Sequence, residues 1–157
     1  MSELVYAGRI PRQIDERVKR RDGAKLRPGA LVRYQRIGLE KHPGSNYRFE
    51  LDDDGSVRLA RHSGDSSNWQ TPFDTDLPAA PTAVLAAERV AAVRQALADA
   101  HFGDEPPYQV GRTAKGGKVE VVTARAGKKA HEVLYENARN PLLDLLAAVA
   151  YEVEEAG

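Results

Sequence analysis

Regular alternation of apolar and polar residues marks two neighbouring segments of the chain, residues 118–124 and residues 129–136. A period of two residues is typical of half-buried β-strands. In the second segment, for example, Val133 and Tyr135 fall on one side of the strand. The short link between the segments contains Gly127, and glycine adopts a positive φ without steric cost. The pattern therefore predicts a β-hairpin.

A second period, close to that of an α-helix, follows the hairpin and predicts a helix over residues 141–155. Pro141 suits the first helical position, because the N–H that it lacks would have no partner there. Residues 82–102 show the same period, with Thr82 as the expected N-terminal cap and Gly103 as the residue that closes the helix. The predicted buried stripes are Val84, Leu85, Val90, Val93, Leu97 and Ala100 in the first helix and Leu142, Leu145, Leu146, Val149 and Val153 in the second.

Four further segments alternate in the same way and predict strands at residues 30–37, 46–51, 56–61 and 108–113. The predicted order of elements is β-β-β-α-β-β-β-α. This order predicts an α+β fold with a mainly antiparallel sheet and two amphipathic helices packed on one face. The core between the sheet and the helices is expected to contain Val119, Val133, Leu97 and Leu145.

Length and composition limit both the size of the protein and its chemistry. A chain of 157 residues with 41 % hydrophobic residues is large enough for one domain with its own core. The sequence has no cysteine, which excludes disulfides, thiolate catalysis and cysteine-ligated metals. No segment approaches the roughly 20 apolar residues of a membrane span, and the N-terminus lacks the apolar run of a signal peptide. We therefore expect a soluble cytoplasmic protein with no membrane partner.

The net charge of zero conceals an asymmetry between the two parts of the chain. Residues 1–48 hold 12 Lys and Arg against 5 Asp and Glu, whereas residues 49–157 hold 11 against 18. We predict that residues 1–29 form a basic, partly disordered arm that precedes a single α+β domain over residues 30–157. Such an arm could bind an acidic partner, or it could lie on the protein's own acidic surface or extend into solvent.

Residue types of familiar active sites occur, but not at the spacing that their chemistry needs. His62, Ser63 and Asp65 are neighbours in one loop, whereas a hydrolase triad is assembled in space from separate elements. The four histidines fall in separate predicted elements, and no two have the i, i+4 spacing of a helical metal site. The glycine-rich residues 115–118 lie between strands, not before a helix as a phosphate-binding loop would. We predict no enzymatic activity, no cofactor and no metal.

Residues 62–81 form a long polar stretch without any period, and loops of this length are usually functional or disordered. The stretch contains Trp69, the only tryptophan, beside Asn68. Exposed tryptophan is favoured at binding hot spots, although Trp69 could instead fold back and cap the core. The predicted protein-binding residues are Trp69 and Asn68 of this loop and Arg17, Arg20 and Arg21 of the basic arm.

These observations predict a non-enzymatic protein-interaction module, as a protease inhibitor or as a regulatory adaptor. Its expected partner is another protein with an acidic surface, and exposed sheet edges also allow a homodimer. The alternative is a nucleic-acid-associated protein that uses the basic arm. Against that alternative, residues 9–27 contain no aromatic side chain on which a base could stack.

The second half of the chain resembles emfourin, a small protein inhibitor associated with thermolysin-type metallopeptidases. The resemblance consists of the order of elements, namely a helix over residues 87–102, a proline-containing link to Tyr108, a hairpin at Gly116-Gly117, a strand over residues 130–135 and a closing helix from Asn140. It includes no motif of functional residues, so no site is carried over. The resemblance implies a small protein that acts by binding another protein.

Overall fold

The computed structural model describes residues 4–17, 25–38, 46–61, 76–112 and 118–156. Within these ranges the chain forms eight strands of one sheet and three α-helices, so the predicted α+β class is confirmed. The strands are β1 (Leu4–Gly8), β2 (Ala30–Gly38), β3 (Tyr47–Asp52), β4 (Ser56–Arg61), β5 (Ala83–Val84), β6 (Tyr108–Gly111), β7 (Lys118–Ala126) and β8 (Lys129–Glu136). The helices are α1 (Arg12–Arg17), α2 (Ala87–Asp99) and α3 (Pro141–Ala156).

The strands of the described residues lie in the order β1-β6-β8-β7-β2-β3-β4-β5. Six neighbouring pairs are antiparallel, whereas β6 and β8 are parallel. Because β7 is flanked by β2 and β8, β6 lies on the outer side of β8, and β6 and β8 both run opposite to β7, which makes them parallel to each other. The sheet is therefore mixed, and the predicted order of elements is corrected by the addition of β1, α1 and β5.

The N-terminal boundary of α2 differs from the prediction because Thr82 is used by the sheet. The Thr82 N–H donates to the Val57 carbonyl (2.7 Å), and its hydroxyl accepts the Leu59 N–H (3.0 Å). These bonds hold residues 82–84 against β4, and the helix begins at Ala87 without a side-chain cap. At the other end His101 turns the chain with a φ of 48°, so His101 takes the role predicted for Gly103.

Part of the predicted basic arm packs on the sheet. Strand β1 pairs antiparallel with β6, and Ile10 and Ile14, which flank the start of α1, pack against an apolar patch. Two isoleucines provide too little apolar surface to stabilise a short helix by itself. Packing against an apolar face of the sheet supplies the remaining stabilisation. Residues 1–3 and 18–24 of the arm lie outside the described ranges.

The sheet buries residues on both faces. The face covered by α2 and α3, here called the helix face, contains Val133 and contacts Leu97, with Leu145 partly buried at its margin. Val119 was predicted to share this side, but it lies on the opposite face. It is an odd number of residues from Val122, which is on the helix face, and successive strand residues point to opposite sides. The opposite-face cluster consists of Ile37, Tyr108, Val119, Val121 and Leu134, with Ile10, Ile14 and Val110 packed against it.

Neighbouring leucines of α3 provide a test of this packing. Leu146 is fully buried on the helix face, whereas Leu145 is only partly buried. We expect Leu146→Ala to lower the free energy of unfolding by about 2–5 kcal/mol, because it leaves a cavity in a packed core. Leu145→Ala should cost clearly less. Urea denaturation monitored by circular dichroism measures both values, and equal losses would contradict this orientation of α3.

Candidate functional site

Most of the residues predicted to bind a partner lie outside the described part of the chain. This holds for Trp69, Asn68, Arg20 and Arg21. Arg17 is the last residue of α1, but its side chain is outside the described residues too. Their role therefore stays a prediction, and a candidate site has to be built from other residues.

Charges near the N-terminus are partly neutralised within the protein. Arg27 forms ion pairs with Glu50, at 3.2 Å, and with Asp52. Asp52 also accepts a bond from Arg58 (2.9 Å). Arg33 lies 3.8 Å from Glu132, and both of these side chains are buried. Arg27, near the end of the predicted basic arm, therefore pairs with the protein's own acidic residues.

A buried tyrosine–glutamate pair is the arrangement closest to acid–base chemistry. Tyr34 of β2 donates a hydrogen bond to Glu120 of β7, whose carboxylate also lies 3.1 Å from the Lys118 ammonium. Burial raises the pKa of Tyr34 well above its ordinary value and also raises those of Tyr47 and Tyr135. Tyr34 and Glu120 are each at most 1 % exposed, so the pair links two central strands and does not face a substrate.

The free edge formed by β1 offers a more accessible site. Leu4, Val5 and Tyr6 are 43 %, 61 % and 43 % exposed, and they are consecutive. Strand β1 ends the sheet, so no described strand pairs with its outer side. All five of its residues are uncharged. Natural edge strands often carry charges or proline that discourage pairing, and β1 contains neither.

The position of β1 is fixed by its aromatic residue. The Tyr6 ring packs against Tyr108 with centroids 5.6 Å apart, and its hydroxyl donates to the Arg9 carbonyl (2.9 Å). Between Leu4 and Tyr6 the register shifts, which makes Val5 an extra residue in the ladder to β6. A bulge of this kind re-aims the side chain it contains. Tyr6 therefore anchors the strand while Leu4 and Val5 are left for solvent or for a partner.

The other edge of the sheet is a natural comparison. Strand β5 has only two residues, and Val84 is 70 % exposed there. A strand of this length can form few ladder hydrogen bonds, and shortness is one of the ways in which edges are protected. The two edges thus expose valines to a similar degree but differ in the length of the surface around them.

In the described ranges, no group of three or more His, Asp or Glu side chains is arranged so that it could hold a metal ion. Within the same ranges, no helix has both the length and the apolar character that crossing a bilayer would require. The sequence matches no protein-family model and no curated protein. The resemblance to emfourin accordingly rests on the order of elements alone.

Sequence reasoning missed the β1 surface because its signal is short. Five uncharged residues, Leu4–Gly8, interrupt a strongly basic and polar region. Read alone, such a run is too brief to be distinguished from a loop. The run forms a strand by pairing with β6, which lies more than 100 positions later in the chain.

The raised pKa of Tyr34 predicts how stability depends on pH. Above a pH of about 10 the unfolded chain releases this phenolic proton, whereas the folded protein retains it. The folded state then binds more protons, so the free energy of unfolding must fall as the pH rises, by up to about 1.4 kcal/mol per pH unit for one tyrosine.

Urea denaturation between pH 8 and pH 11.5 tests this expectation. Tyr34→Phe should be less stable at pH 8, because Glu120 loses its donor, but should show a shallower decline above pH 10. Tyr151→Phe, at an exposed position of α3, is the matched control. Equal slopes for the parent protein and Tyr34→Phe would contradict the assignment.

Proposed function

We propose that this protein is a non-enzymatic protein-interaction module and that β1 is its contact surface. The observation that supports the proposal best is the run of three consecutive exposed hydrophobic residues on an uncharged edge strand, Leu4–Tyr6. Exposed apolar residues that occur singly need no explanation, whereas adjacent ones on a free edge are typical of interaction sites.

Burial of this edge would contribute usefully to binding. Leu4 and Val5 keep about half of their surface in contact with water. Complete burial of such side chains is worth roughly 1.5–3 kcal/mol, so covering the exposed part contributes roughly 1 kcal/mol for each residue. Backbone N–H and C=O groups on the outer side of β1 add hydrogen bonds if the partner binds as an extended strand.

The register shift at Val5 limits what kind of partner fits. A regular ladder is available over the last residues of β1, from Tyr6 to Gly8, but it is interrupted at Val5. The interruption disfavours indiscriminate pairing with any flat strand. The partner we propose therefore contacts Leu4 and Val5 through apolar side chains and uses the backbone of β1 over a short stretch only.

Two charged variants distinguish specific binding at this surface from nonspecific hydrophobic association. We expect Val5→Lys to abolish capture of a partner protein, because it places a charge in the apolar contact, and to leave the free energy of unfolding within about 0.5 kcal/mol. Val84→Lys introduces the same charge at the opposite edge and should retain binding. The measurement is affinity capture from the native host, followed by titration of the purified partner against each variant.

Several results of that experiment would contradict the proposal. Retention of the partner by Val5→Lys, or equal loss in Val5→Lys and Val84→Lys, would remove β1 from the interaction. Recovery of nucleic acid alone, with binding that weakens steeply as salt is added, would favour the alternative of a nucleic-acid-associated protein.

The resemblance to emfourin supports a specific form of the proposal, in which the partner is a thermolysin-type metallopeptidase. Titration of such an enzyme with the purified protein should then reduce peptide hydrolysis to a stoichiometric end point, and Val5→Lys should raise the concentration needed by at least about tenfold. Full peptidase activity at a large excess of the protein would exclude this form and leave a regulatory adaptor as the remaining one.

A further inference from the structure

A cleft separate from β1 lies between the C-terminal end of α2 and the turn that joins β7 to β8. It is an open cleft of about 590 Å³, and the large apolar residues of its lining are Leu31, Leu97 and Phe102. Charged side chains, Arg94 and Arg125 with Asp104, complete the wall. The volume lies within the range of small-molecule sites, which combine an apolar lining with a few placed polar groups.

Among the described residues, no carboxylate compensates the charge of Arg125, the second arginine of this wall. Its Nε donates to the Ala30 carbonyl (3.1 Å) and one terminal nitrogen donates to the Arg27 carbonyl (3.2 Å). Both acceptors are neutral, and no carboxylate of the described residues forms an ion pair with this half-buried guanidinium. None of the described residues accepts a hydrogen bond from its other terminal nitrogen, Nη1, which we take as the donor to a ligand. The two carbonyl bonds hold the group in place, which lowers the cost of ordering it on binding.

The remaining charges of the cleft favour a ligand with a single negative charge. Arg94 is half-exposed and shares its charge with Asp53 at 2.9 Å. Asp104 is exposed and opposes any bound anion. Since Arg94 already has Asp53 as its partner, Arg125 is the cation in the lining that a single negative charge of a ligand would neutralise.

We propose that this cleft binds a small carboxylic acid with an apolar body. The carboxylate pairs with Arg125, and the apolar part lies over Leu97 and Phe102. Guanidinium–carboxylate bonds are charge-assisted and directional, and the apolar lining offers nothing to a wholly polar anion such as inorganic phosphate. The proposal does not depend on β1, since the lining comes from β2, α2, β7 and the turn at residues 102–104.

Titration of the full-length, ¹⁵N-labelled protein with hexanoate tests the site. The amide signals of Phe102, Gly103 and Gly127 should shift to saturation. The neutral isostere hexanamide should bind at least about tenfold more weakly, because it loses the charge-assisted bond. Inorganic phosphate should also bind more weakly than hexanoate, since it cannot use the apolar lining.

Substitutions of Arg125 and of Asp104 should change the affinity for hexanoate in opposite directions. Arg125→Met should abolish saturable binding of hexanoate. Asp104→Asn removes the opposing charge at an exposed position and should tighten binding roughly twofold to fivefold. If Arg125→Met does not fold, because the carbonyls of Ala30 and Arg27 lose a donor, two other variants still test the proposal. Arg94→Met should raise the dissociation constant for hexanoate, and Asp104→Asn should lower it.

Equal affinity for hexanoate and hexanamide would overturn the proposal, as would tighter binding of inorganic phosphate. Signals that do not shift with hexanoate would also overturn it. The same holds if Asp104→Asn leaves the dissociation constant unchanged, since the charge argument requires it to fall.

Discussion

Burial of β7 on both of its faces is the constraint on which the rest of the structure depends. This strand lies between β2 and β8, and it sends Val122 into the helix face and Val121 into the opposite one. A strand that is apolar on both sides is stable only when each side has its own cover. On the helix face the cover comes from α2 and α3, which are amphipathic and follow the two strand-rich parts of the chain.

The opposite face obtains its cover from the N-terminal region, and this determines where the exposed edge lies. Ile10 and Ile14 pack over the patch that contains Val121 and Leu134. Their placement brings the preceding residues alongside β6, and β1 becomes the last strand of the sheet. The accessibility of Leu4 and Val5 is thus a consequence of core packing, because the segment that protects one apolar surface presents another to solvent.

How much could be predicted from the sequence depends on the length of each periodic segment. The hairpin of β7 and β8 and the helix α3 carry many residues in phase, and the structure places them within two residues of the predicted bounds. By contrast, β5 has two residues and β1 has five, so neither can show a period, and both are formed by tertiary hydrogen bonds. The parallel pairing of β6 with β8 had no local signal either, since it depends on the direction and position of both strands relative to β7.

The two candidate sites differ in chemistry, but each lies where the isolated fold leaves a group in an energetically unfavourable environment. Arg27 and Arg125 are bonded neighbours, yet Arg27 has Glu50 and Asp52 as counter-ions, whereas the partners of Arg125 among the described residues are carbonyl oxygens. A partly buried cation without an anion loses solvation that neutral acceptors restore incompletely. Apolar side chains on an unpaired edge likewise keep an unfavourable contact with water. Sequence alone does not show which cations lack counter-ions or which strands lack neighbours, because both are properties of the assembled sheet. A partner that removes either cost would gain binding free energy, and we therefore expect binding at these positions and not at the Tyr34–Glu120 pair, which is buried between two central strands.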